Sequence, residues 1–81
     1  MYYVYAISSI ERNYIYVGLT SDLDRRIGQH NGGFERTTKP YCPFKLIYSE
    51  TCLDRKAARI REKYWKSGSG KRQLRKMRDN C

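Results

Sequence analysis

Acidic side chains are scarce in this chain. Eight Asp and Glu stand against 17 Lys and Arg, so 81 residues carry a formal net charge of +9. That balance disfavours cationic partners and favours polyanions, nucleic acid first and anionic membrane second. Histidine is nearly absent: His30 stands alone, which excludes a His-based metal cage. Cysteine is sparse and odd in number. Cys42, Cys52 and Cys81 form no close pair, so neither a disulfide framework nor a zinc ribbon is expected, and each is read as a reduced cytosolic thiol. Long apolar runs are missing too. The run Tyr2–Ile7 is far short of the ~20 residues a membrane helix needs, and with no basic stretch before it no secretory signal is expected. With two prolines, no Pro-rich linker and no internal repeat, the expectation is one cytoplasmic domain over residues 1–81, away from the membrane. Its core should be thin, because a chain this short buries only about 60% of the surface its unfolded form exposes.

What is present is 40% hydrophobic and 31% charged, the balance of a folded domain. Eight tyrosines fall mostly in the first half. The charge is uneven. Residues 1–54 hold six bases and six acids, whereas residues 55–81 hold eleven bases against Glu62 and Asp79. Such asymmetry is an electrostatic footprint, although a solvated helical face reads the same way. The candidate phosphate contacts are Arg55, Arg59, Lys63, Lys66, Lys71, Arg72 and Arg75.

Tyr2–Ser9 and Tyr14–Thr20 are rich in Tyr, Val and Ile, so two strands joined as a hairpin are expected. Ser21 is a candidate cap for a first helix that runs to about Asn31 and stops at Gly32-Gly33. Residues 34–43 read as a polar loop and Phe44–Cys52 as a third strand. Asp54 caps a second helix, Arg55–Lys66. Ser67-Gly68-Ser69-Gly70 should break it before a short basic helix at about 71–78. The order ββαβαα predicts an α/β (α+β) domain: a small three-stranded antiparallel sheet, first strand central, flanked by helices.

Strand alternation puts Tyr3, Tyr5 and Ile7 on one face, with Val4 and Ala6 on the other. Tyr14, Tyr16 and Gly18 likewise oppose Ile15, Val17 and Leu19. A register that puts Tyr5 and Tyr16 on the same side would make a tyrosine-lined surface. Tyrosine is also a favoured strand residue, and taken alone that plainer reading leads. On the first helix Leu23, Arg26, Ile27 and His30 share the inward arc, with Arg26 and His30 one turn apart. A snorkelling arginine and a satisfied histidine would explain this; the tyrosine faces offer partners instead. On the second helix Ala57, Ala58, Ile60, Tyr64 and Trp65 are taken as the apolar arc, with Glu62 at its border. Glu62 is either a surface acid paired with Lys66 or Arg59, or an isolated metal carboxylate. One carboxylate suits Mg²⁺, which keeps waters and accepts substrate phosphate as ligand.

Tyr3-Val4-Tyr5, then Tyr16-Val17-Gly18, then Leu23-x-x-Arg26-x-x-x-His30-Asn31, resembles the GIY-YIG nuclease family. The likeness continues through Thr37-Thr38-Lys39, Pro43–Tyr48, Ala58-x-x-x-Glu62-x-x-x-Lys66 and Ser67–Lys71, and so covers nearly the whole chain. The resemblance implies Mg²⁺-dependent cleavage of DNA, with Mn²⁺ as a substitute ion, bound only together with substrate. It assigns Tyr5 as general base or relay, with Tyr16 beside it. Arg26 would hold the phosphate, His30 would move protons and Glu62 would bind the metal. Gly18 would leave room for close approach. Many members carry an Asn twelve to fifteen residues after the metal Glu; here Leu74–Met77 has none, and Asn80 comes three positions late. The leading expectation is a small DNA endonuclease serving repair or recombination. The alternatives are a catalytically weak or inactive nucleic-acid-binding module, or an interaction module that docks on a repair complex. A protein partner could supply target choice.

Overall fold

In the computed structural model, which describes residues 1–80, the two Tyr/Val/Ile-rich segments pair antiparallel as β1 (Tyr2–Ser9) and β2 (Ile15–Thr20). Strand β3 (Phe44–Cys52) pairs antiparallel with the other edge of β1, giving the order β2-β1-β3 with the first strand central. Helix α1 (Leu23–Asn31) follows the hairpin, and α2 (Arg55–Lys66) and α3 (Gly68–Asp79) follow β3. Loop 34–43 tightens into a single 3₁₀ turn at Lys39–Tyr41.

The central strand is sandwiched. On one face Val4, Ala6, Ile15 and Val17 pack against Ala58, Trp65 and Leu74 of α2 and α3. On the other, Tyr5, Ile7 and Phe44 pack with Tyr14, Tyr16, Tyr41 and the α1 residues Leu23 and Ile27. β1 therefore runs almost wholly buried from Val4 to Ser9.

Four local expectations need correction. The α1 cap is Asp22, not Ser21: its carboxylate accepts from the Arg25 amide, leaving Ser21 exposed outside the helix. Strand β2 starts at Ile15, because Tyr14 still closes the hairpin, its carbonyl accepting from Ser9 N at 2.9 Å. The third helix spans Gly68–Asp79, not 71–78. Ser67 is the only break; it ends α2 and caps α3, accepting from Gly70 N. Gly70 packs so tightly on α2 that a Cβ there would collide with the backbone of Tyr64 and Trp65. Lastly, Ile60 is 63% exposed. At 100° per residue it lies 200° from Ala58, so the inward stripe of α2 is Ala58 and Trp65 with the part-buried Ala57, Arg61 and Glu62 beside them, and Tyr64 stands exposed at its border.

Cys42 and Cys52 are free thiols; Cys81 lies outside the described residues. Among those residues no helix is long and apolar enough to cross a membrane.

Candidate active site

The hairpin register sets Tyr5 opposite Gly18 and Ile7 opposite Tyr16. Tyr5 and Tyr16 thereby share a face, with ring centroids 6.3 Å apart. Gly18 makes this possible: a Cβ there would lie 2.7 Å from the Tyr5 hydroxyl and 2.9 Å from the Tyr16 ring. Helix α1 lays His30 against the pair, 5.8 Å from the Tyr5 centroid and 5.0 Å from that of Tyr16. Tyr5 and His30 are both fully buried.

His30 is bonded through both ring nitrogens. Nε2 lies 2.8 Å from Tyr5 Oη, and Nδ1 lies 2.8 Å from the buried Oγ1 of Thr38. The direction of these bonds follows from the groups at their ends. Thr38 Oγ1 lies 3.5 Å from the Glu35 carbonyl, which only accepts. Thr38 therefore donates to Glu35 O and accepts from His30 Nδ1–H. With Nδ1–H given to Thr38, the Nε2 of a neutral imidazole can only accept, and the Arg26 charge lies close enough to the Tyr5 oxygen to favour its ionised form. Tyr5 therefore donates its own hydrogen to His30 Nε2. Arg26 Nη2 also donates to the Glu35 carboxylate at 2.9 Å, and Nη1 to Gln29 Oε1 at 2.9 Å. The hydrogen bonds run one way, Tyr5 to His30 to Thr38 to Glu35, and the ion pair of Glu35 with Arg26, whose charge acts on Tyr5, completes a circuit.

Proton affinities agree with that direction. Burial first, and then the Tyr16 phenol, push the Tyr5 hydroxyl up to about 12, against the pull of Arg26. Burial first, and then the nearby Arg26 charge, hold His30 below its ordinary value. The Arg26 hydrogen bond holds the Glu35 carboxyl below the usual carboxylate range. At neutral pH the circuit thus contains a phenol, a neutral imidazole and one ion pair. Arg26 alone does not make Tyr5 a phenolate, because burial outweighs it.

Tyr5, Tyr16, Arg26, His30 and Gly18 are therefore brought together. Glu62 comes from the helix on the opposite face of the sheet. Its side chain is 14% exposed and pairs with Lys66 at 3.3 Å; no hydrogen bond or ion pair among the described residues joins it to any of these five. No group of three or more His, Cys, Asp or Glu among the described residues forms a metal cage. A single half-sheltered carboxylate nonetheless fits an ion that draws its remaining oxygens from water and phosphate, as Mg²⁺ does. Of the basic candidates, Arg55, Arg59, Lys63 and Lys66 stand exposed on α2, Arg72 and Arg75 stand exposed on α3, and Lys71 is half-buried with Nζ 3.1 Å from the Ile15 carbonyl. Glu35 and Thr38 carried no assignment in the sequence. The available signal was chemical: a buried histidine with one tyrosine partner needs a second partner for its other nitrogen.

A family model described as the GIY-YIG catalytic domain matches residues 1–77. A UPF0213 protein of Desulfotalea psychrophila is 36% identical over 63 residues, 75% of this chain and 56% of that protein. The chain thus spans little more than half the length of that relative. A UPF0213 protein of Clostridium perfringens is 36% identical over 67 residues, 82% of this chain and 71% of that protein. The solution NMR structure of a UPF0213 protein from Bacillus halodurans superposes with a TM-score of 0.55 at 31% identity, over 95% of this chain and 85% of that one.

Proposed function

The chain belongs to the GIY-YIG family, and from that premise we propose that it is a Mg²⁺-dependent endonuclease that hydrolyses phosphodiester bonds in DNA. One observation carries the reading: the buried circuit in which Tyr5 gives its hydrogen to a neutral His30 while Arg26 stands beside it. A phenol raised to about 12 is too weakly acidic to rest as phenolate, so Tyr5 acts as a relay. Attacking water passes a proton to the Tyr5 oxygen as Tyr5 passes its own to His30 Nε2. The imidazolium that forms keeps its Nδ1–H bond to Thr38. The water oxygen bonds to phosphorus and the P–O bond to the leaving oxygen breaks. General-base assistance of this kind contributes about 10²–10⁴-fold. Arg26 orients the phosphate and offsets its charge, a contact commonly worth about 3 kcal/mol. Glu62 would hold Mg²⁺, which when bound stabilises charge on the phosphate and the leaving oxygen.

A non-catalytic nucleic-acid-binding module is favoured by one observation, the engagement of Glu62 by Lys66 in place of any bond to the tyrosine–histidine circuit. Nicking of supercoiled plasmid and of branched duplexes, the substrates of repair and recombination, separates the two readings. Cleavage with Mg²⁺ and none with chelator supports the nuclease. Binding without cleavage of any DNA form gives the module.

A further inference from the structure

At the turn end of the sheet, away from the Tyr5–His30 circuit, two grooves meet. One, of about 570 Å³, lies between the β1–β2 turn and the end of α3 and is lined by Ser8, Ser9, Arg12, Lys45 and Arg78. The other, of about 330 Å³, runs along α3 beside Tyr14 and is lined by Lys71, Arg75 and Arg78. They share Asn13 and Arg78, which are bonded to each other at 2.6 Å. Five cations line this path against one acid, Asp79, which Arg78 already engages at 3.0 Å. Arg12, Lys45 and Arg75 are exposed and have no acidic partner among the described residues.

We propose that this double groove is a second binding site, which seats the sugar–phosphate backbone of duplex DNA beyond the cleavage site, with Arg12, Lys45, Arg75 and Arg78 as its phosphate contacts. The proposal rests on the nuclease reading for its ligand, but adds Arg12, Lys45 and Arg78 to the binding surface and shifts the grip from α2 to α3. Three observations favour it. The cations come from three separate places in the chain, the hairpin turn, β3 and α3, so no helical periodicity explains their convergence. Lys71 is half-buried among like charges, and its ammonium is weakened by burial first and then by Lys66 and Arg75. This is repulsion that an anion in the groove would relieve. The location is also within reach of the circuit around the turn end of the sheet, which joins the α3 face to the Tyr5 face. Ser8 lies three residues beyond Tyr5 on β1, about 10 Å at ~3.3 Å per residue. That distance equals roughly three nucleotides of rise at about 3.4 Å per strand.

The test is duplex binding in chelator, so that no cleavage intervenes, measured as a function of salt. The parent is compared with the triple variant Arg12→Gln/Lys45→Gln/Arg75→Gln and with an equal-charge control, Arg25→Gln/Arg36→Gln/Lys56→Gln, which lies outside both the groove and the candidate phosphate contacts of α2 and α3. All six positions are exposed, and circular dichroism checks that each variant folds. Losing three phosphate contacts should reduce the log–log salt slope by about 2.7, and affinity at 0.1 M salt by about eightfold per contact, several hundredfold in all. The control should lose less than about tenfold. Equal losses from both triples, or an unchanged slope in the groove triple, overturn the proposal. Cleavage by the parent is assayed separately. If the parent does not cut yet the groove triple loses binding, the nuclease reading fails and the groove stands; if it cuts and the groove triple binds as the parent does, the groove fails alone.

Discussion

Thr38→Val removes one hydroxyl from the circuit and keeps the shape of the side chain. The residue is fully buried, so no water replaces what is lost. His30 Nδ1, now 2.8 Å from Thr38 Oγ1, would face a methyl group. If the ring keeps its tautomer, a buried N–H is left without an acceptor, at a cost of about 1–3 kcal/mol. If it switches tautomer, Nε2 carries the hydrogen and cannot take the proton of Tyr5. The first outcome lowers Tm by about 4–8 °C per kcal/mol for a domain of this size. The second removes the proton acceptor and lowers kcat by at least about 10²-fold. Thr38→Ser keeps the hydroxyl and should restore most of the rate despite the lost methyl. Melting curves, single-turnover cleavage and the ¹⁵N shifts of the one imidazole measure the three quantities independently. An Nε2–H tautomer in the parent, or a Thr38→Val protein with parental Tm and parental rate, would refute the circuit as described.

Stability should fall as pH drops below ~6.5. His30 is held below its ordinary value in the fold, so the unfolded chain binds the extra proton first; urea midpoints across pH 5–7 should slope in the parent and flatten in His30→Gln, and equal slopes would show that another group is responsible. Gly18→Ala should lower cleavage by about 10²-fold or more while the fold survives. Its Cβ would stand 2.7 Å from the Tyr5 hydroxyl and push it away from His30, and a crystal structure with the Tyr5–His30 bond intact would contradict this. Glu62→Gln should abolish cleavage and leave duplex affinity equal or slightly higher, because it removes a negative charge from a basic surface; cleavage near the parental rate would end the metal assignment.

Strand parity and helical spacing carried much of the site. Tyr5, Tyr16 and Gly18 follow from alternation once the register is a simple hairpin, and His30 follows from its place one turn above Arg26. Asp54, with the β-rich run before it, marked β3 and α2 to the residue. What stayed hidden depends on tertiary contact. Thr38 and Glu35 sit in a loop without periodicity, and only the return of that loop under α1 brings them to the histidine and the arginine. Gly68 and Gly70 read as breakers by propensity, yet packing on Tyr64 and Trp65 admits only a glycine at position 70 and draws both residues into a helix. Ile60 is apolar by type, but the narrow stripe of α2 is filled by Ala58 and Trp65 with Ala57 beside them, and the helix turns Ile60 to water.

The junction at Ser67 fixes a distance between two arms of the fold. One residue separates α2 from α3, Gly70 locks the bend, and Trp65 ties α2 to β3 through Glu50 at 2.6 Å. Glu62 on one arm of this elbow and Arg75 and Arg78 on the other thus stand at a set separation. On the proposed reading, in which α3 grips DNA and cleavage occurs beside Glu62, the offset between grip and nick is an inherited length, the same for every substrate whatever its sequence.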